Sequence, residues 1–216
     1  MKSVPSAGSL VGGNESPDPP LPLRAVLPGL LYVVALGVAT VAGWMPAGGR
    51  LFSGHALVLA ALPWVTLAVL RRGPGALGYS RRRALAEFGW GALAGAIWRG
   101  LSMGLSALWL GGLGASAGDL ASGLIWVPLV EESFFRGYLG RALAARFGTL
   151  PGILLQAALF TLQPAHWSQG WPALISVFAF GILAGWLCQS RRSIWAAWGA
   201  HGFANVLPMI LASLVS

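Results

Sequence analysis

Hydrophobic positions in this chain fall in blocks near twenty residues long, set apart by short stretches of Arg, Gly, Pro and Ser. An apolar block of that length is the unit that crosses a bilayer as a helix. The blocks run from about Ala25 to Met45, from Leu51 to Leu70, and from Ala84 to Leu110 with Arg99 inside. A fourth follows Asp119, read as an N-cap, and continues to Phe147. A fifth begins at Thr149, with Pro151 in its first turn, and ends near Trp167. The last two cover Pro172 to Gln189 and Ser193 to Val215. The pattern predicts an all-α polytopic membrane helix bundle of about seven transmembrane helices. Residues 1–22, rich in Pro, Gly and Ser, read as a disordered cytoplasmic tail, and residues 23–216 as one transmembrane domain. A signal peptide does not fit, because the first apolar block is too long and Lys2 lies far upstream of it. No internal repeat is visible.

Composition agrees with the pattern. Of 216 residues, 56% are hydrophobic and 9% charged, whereas a soluble domain carries about a quarter charged residues. The single cysteine, Cys188, excludes a disulfide scaffold. The net charge of +8 raises the question of nucleic acid, but the basic residues sit between apolar blocks, as topology signals do, so no nucleic-acid partner is expected. With the N-terminus inside, Lys2, Arg24, Arg71, Arg72, Arg81, Arg82, Arg83, Arg136, Arg141, Arg146, Arg191 and Arg192 all fall on the cytoplasmic side, which is 12 of the 14 basic residues. Only Arg50 falls outside, and Arg99 lies within a span. The positive-inside rule then predicts N-in, C-out, with Trp44, Trp109, Trp167 and Trp171 at the outer interface.

Ionisable groups inside a membrane are costly and mark function. Here they are Arg99, Glu131, Glu132, Arg136, His166 and His201, joined by the amide of Asn205. Glu87 is expected in a surface pair with Arg83 four residues earlier, and His55 as an interfacial histidine. Arg99 either snorkels or pairs within the bundle.

The fourth block carries Glu131-Glu132-Ser133-Phe134-Phe135-Arg136. Adjacent glutamates on a helix point about 100° apart, so they cannot share one task. Glu132 and Arg136 stand at the i, i+4 spacing of a helical ion pair, which leaves Glu131 without a local cation. In an antiparallel hairpin turning near Gly148, Glu131 and His166 come to the same depth, roughly 26 Å from the turn, where the two can hold a water between them. His201 and Asn205 lie one turn apart on one face of the last helix. Both donate hydrogen bonds, and donors converging in a dry site stabilise an oxyanion. Polar bridging between helices is the alternative for this pair.

These residues resemble the motifs of the CPBP family, the CAAX-protease and bacteriocin-processing group of intramembrane endopeptidases. The family pattern is EExxxR, then FxxxH, then HxxxN or HxxxD near the C-terminus. Here it reads Glu131 to Arg136, Leu162-Gln163-Pro164-Ala165-His166, and His201 to Asn205. The likeness covers about Asp119 to Pro208, so the motifs are expected within 119–208. Leu162 stands where the family has Phe, Phe160 lies two residues early, and Pro164 removes a backbone donor before the histidine. The resemblance implies peptide-bond hydrolysis inside the membrane. Glu131 is then the general base, His166 helps to bind the water, His201 and Asn205 form the oxyanion hole, and Glu132 with Arg136 is the supporting pair.

The implied partners are the lipid bilayer and a membrane-anchored or exported peptide or protein substrate, and the implied place is a cell membrane, of bacterial inner-membrane type. No cofactor is expected. Rival readings are a zinc-dependent membrane metalloprotease built on Glu131, His166 and His201, a non-proteolytic bacteriocin-immunity or assembly protein, and a transporter. No HExxH motif favours the first of these, and the missing repeat weighs against the last.

Overall fold

The computed structural model describes residues 18–44, 50–105, 116–167 and 170–215. Trp109 and most of the expected N-terminal tail lie outside them. Among the described residues the chain is entirely helical: α1 Leu23–Val41, α2 Arg50–Val69, a 3₁₀ turn at Pro74–Leu77, and α3 Ala84–Leu105. The next helix, α4, is composite. Its α-helical segments Ala117–Ala121, Val127–Glu132 and Arg141–Phe147 are joined without a break by π-helical stretches at Ser122–Trp126 and Ser133–Gly140. Then come α5 Thr149–Thr161, the short α6 Pro164–Trp167, α7 Trp171–Ser190 and α8 Ile194–Val215. Among the described residues three helices are long and apolar enough to cross a membrane: Leu23–Val41, Trp171–Ser190 and Ile194–Leu214. The stretches Gly54–Val69 and Thr149–Thr161 are shorter apolar helices. Large apolar side chains such as Leu31, Val69, Ile175 and Leu214 face outward, as lipid contact requires.

Two expected boundaries move. α4 is capped by Ser116, not Asp119. The Ser116 hydroxyl accepts from the Asp119 backbone N–H, and the Asp119 carboxylate accepts from the Ser116 N–H in return, a reciprocal capping box. The fifth block does not run unbroken to Trp167. α5 stops at Thr161, because Pro164 has no N–H to extend it and disfavours helical geometry just before itself. Of the expected tail, 1–22, the described residues 18–22 are docked on the bundle. Arg141 donates to the Asp18 carbonyl and Arg72 to that of Pro19, while Leu21 is buried.

The tightest seam joins α3 and α8. Successive contacts pair Gly91 with Ala196 and Gly95 with Ala200, so the two helices run parallel. Small residues line both sides. A Cβ added at Gly91 would lie 1.9 Å from the Ala196 carbonyl oxygen, and one at Gly95 2.0 Å from that of Ala200. Close backbone approach of this kind is how helices associate where no hydrophobic effect drives them together. α8 packs in turn against α7 and α4, and α5 against α7 and α4. Residues from separate basic loops meet at one end of the bundle. Arg141 donates to the Gly75 carbonyl, the Ile194 N–H to that of Gly78, and the Arg191 guanidinium grips the Glu87 carboxylate. The exposed turn of the α4–α5 hairpin, residues 145–150, lies beyond this end.

Glu87 is therefore no surface carboxylate. It is 6% exposed, and its principal partner is Arg191, with Arg83 at 3.8 Å. The helical i, i+4 spacing identified a real neighbour, and a longer-range cation supplies the closer one. Arg99 resolves by pairing: its Nε donates to the Ala204 carbonyl on α8 at 2.6 Å.

Candidate active site

Pro128 explains why α4 departs from the α-helix where it faces α8. Its missing N–H would have served the Leu124 carbonyl in α-helical geometry, or that of Gly123 in π-helical geometry. Both carbonyls are satisfied from α8 instead. Trp198 Nε1 donates to Leu124 at 2.9 Å, and Asn205 Nδ2 to Gly123 at 3.2 Å. Beside Asn205 a cavity of about 320 Å³ is lined by Arg99, Asp119, Ser122, Gly123 and Val127, among others.

One helical turn below, the two glutamates separate as the 100° step requires. Glu132 is fully buried. A single oxygen, Oε1, accepts from Arg136 Nη1 at 3.0 Å and from His201 Nδ1 at 2.6 Å. The Arg136 guanidinium also lies over the Phe160 ring, 4.2 Å from its centroid, so cation–π contact supplements the ion pair. Because a carboxylate only accepts, His201 must carry a proton on Nδ1. The other ring nitrogen, Nε2, then faces Glu131 Oε2 at 3.7 Å. That is too long for a direct hydrogen bond and short enough for one water to touch both atoms. The Glu131 side chain is 18% exposed and that of Glu132 0%, so only the first has room for a water or a substrate.

The sequence-predicted residues are thus partly brought together. Glu131, Glu132, Arg136 and His201 form one buried cluster, with Asn205 a turn further along α8. His166 joins it through Phe160. Its Nδ1 bonds the Phe160 carbonyl at 3.0 Å, and its ring lies 4.9 Å from the Phe160 ring, which in turn stands edge-on to His201 at 6.1 Å. No direct Glu131–His166 bond occurs among the described residues. The reason is the break at Pro164. His166 is reached by a bend instead of by 18 residues of helix, so the depth match expected for a straight hairpin does not apply. The same bend brings Phe160, two residues early for the family pattern, against the histidine. Leu162 packs outward on α1 at Gly37.

Sequence reasoning missed four participants. Ser133 bonds both the Leu129 carbonyl and the Tyr79 hydroxyl, the latter at 2.7 Å, which ties the loop before α3 to the turn after Glu132. Gln163 sits inside the second motif and Phe160 two residues before it, where the sequence reading gave neither a role. His55 is 6% exposed and no interfacial residue. Its own element gave no signal, but a buried histidine in an apolar helix needs polar partners, and Tyr32 and Gln163 were available. Among the described residues, no three His, Cys, Asp or Glu side chains stand close enough together to hold a metal ion.

Residues 114–207 match the family described as Type II CAAX prenyl endopeptidase Rce1-like. This agrees with the CPBP resemblance read from the motifs, and the stretch contains all four candidate catalytic residues and the Glu132–Arg136 pair. The matched family is one of CAAX-type proteases, hence hydrolases, and of membrane proteins. No curated protein and no solved structure matches the chain.

Proposed function

We propose that this protein is an intramembrane endopeptidase that hydrolyses a peptide bond in a membrane-anchored or exported peptide. In this reading it lies in a cell membrane with its N-terminus in the cytoplasm. The observation that carries the proposal is the unequal treatment of two neighbouring carboxylates: Glu132 is locked by Arg136 and His201, while Glu131 faces His201 across a gap that fits one water. Glu131 takes a proton from that water as its oxygen attacks the substrate carbonyl, and His166 helps to orient it. The oxyanion accepts hydrogen bonds from Asn205 Nδ2 and from His201 Nε2. With Nδ1 committed to Glu132, His201 donates through Nε2 as the imidazolium. Glu131 then passes its proton to the departing amide nitrogen and the C–N bond breaks. Preorganised donors in a site shielded from water supply most of the stabilisation, and no metal is required.

The test uses purified full-length protein in proteoliposomes and a panel of internally quenched peptides. Glu131→Gln keeps shape and removes the base, so turnover should fall by about 10²–10⁴ with folding yield unchanged. Turnover near the wild-type rate would exclude Glu131 as base. Prolonged chelation should leave the wild type active. Stoichiometric zinc, lost together with activity and restored by added metal, would replace this reading by the metalloprotease one.

A further inference from the structure

A second polar chain reaches Glu131 from α1 and α2. His55 on α2 and Gln163, in the bend between α5 and α6, are 6% and 3% exposed. Tyr32 on α1 reaches His55 Nδ1 at 3.1 Å, and its ring stacks on the imidazole with centroids 5.7 Å apart. His55 Nε2 reaches Gln163 Oε1 at 3.2 Å. An amide oxygen only accepts, so Nε2 carries the histidine proton and Nδ1 accepts from the Tyr32 hydroxyl. The chain therefore has one direction: Tyr32 donates to His55, and His55 donates to Gln163. What remains is the Gln163 Nε2 amide, which is buried, is met by no acceptor at full hydrogen-bond geometry among the described residues, and lies beside the Glu131 carboxylate. Turning the amide over would set its oxygen against the Glu131 carboxylate, so the carboxylate selects the orientation while the His55 N–H holds the Gln163 oxygen at the far end.

We infer that Tyr32 and His55 fix the Gln163 amide so that its N–H faces Glu131, which makes His55 and Gln163 positioning residues for that carboxylate. The inference rests on the reading of Glu131 as the base. Its physical content is orientation. A carboxylate held by one donor presents a defined lone pair to the water, and a free one rotates. His166 and Arg136 lie close to this chain, and His201 and Glu132 also lie beside Glu131. The readout must therefore isolate Gln163 from these.

The experiment compares full-length His55→Leu, His55→Gln and Gln163→Leu with the wild type. The first measurement is the Glu131 carboxyl band in infrared difference spectra, assigned by its disappearance in Glu131→Gln. The second is kcat and KM on a quenched peptide the wild type cleaves. His55→Leu and Gln163→Leu should shift the band and lower kcat by about tenfold, the worth of one hydrogen bond to a charged group, with KM unchanged. His55→Gln restores a donor toward Gln163 Oε1 and should recover the band and most of kcat. An unshifted band in both leucine variants overturns the inference. So does an equal loss in His55→Leu and His55→Gln, which would mark a packing role. A shifted band in a protein that cleaves no peptide would leave the positioning intact and remove the protease reading, so the two fail separately.

Discussion

At the residue scale the most consequential atom is Glu132 Oε1, which holds two helices in register by accepting from Arg136 on its own helix and His201 on α8. Removing one partner of a buried pair leaves the other charged and unsolvated, which costs roughly 3–5 kcal/mol. Glu132→Ala should therefore lower the midpoint of thermal unfolding in detergent sharply, or abolish recovery of folded protein. Glu131→Ala, at a less committed carboxylate, should leave the midpoint close to wild type. A folded, stable Glu132→Ala that has lost turnover, beside an active Glu131→Ala, would exchange the two roles. The Glu132–Arg136 pair was legible from i, i+4 spacing. The third member was not, because 69 residues separate His201 from Glu132 and no local rule relates them. His166 was legible as a functional candidate while its approach was not. The reading assumed an unbroken helix, and Pro164, already noted as lacking a donor, ends it.

Helices in this protein are joined by close backbone approach as much as by side chains. Along the α3–α8 seam a Cβ at Gly95 would come within 2.0 Å of a backbone oxygen, which cannot yield without separating the helices. Gly100 on the same helix has no neighbour within 4 Å of such a Cβ. Gly95→Ala should destabilise by at least the 1–3 kcal/mol or so typical of overpacking. Gly100→Ala should be neutral, or stabilise by up to about 1 kcal/mol through helix propensity. Paired unfolding curves in one detergent check both, and equal behaviour would remove the seam from the account. Apolar block length revealed that α3 and α8 exist. It did not reveal their pairing, since glycine spacing has meaning only once a partner is known. Nor did it reveal the π-helical stretches of α4, although Pro128, the cause of the first of them, was visible.

Across the whole molecule, the end of the bundle that gathers Asp18, Arg72, Gly75, Arg141 and Arg191 brings together stretches the charge count had assigned to one side. Reporter fusions within Arg71–Arg83 should therefore report the cytoplasm, and fusions after Ser216 the opposite side. The reverse at both sites would overturn the orientation. The helical class was legible because apolar blocks of membrane length leave few alternatives. The number of spans was less so. Among the described residues three helices meet the requirement of length and apolarity, whereas the charged and π-distorted stretches follow packing instead of hydropathy.

The backbone contact between α3 and α8 also sets a limit on what can be transplanted. Residues 114–207 hold every motif residue, yet α3, which presses its glycines against the helix carrying His201 and Asn205, lies wholly outside that stretch. So does His55. The segment that holds the candidate residues thus leans on a wall it does not itself encode. A chimera that receives 114–207 from this chain without Ala84–Leu105 inherits the candidate residues and loses the surface they pack on.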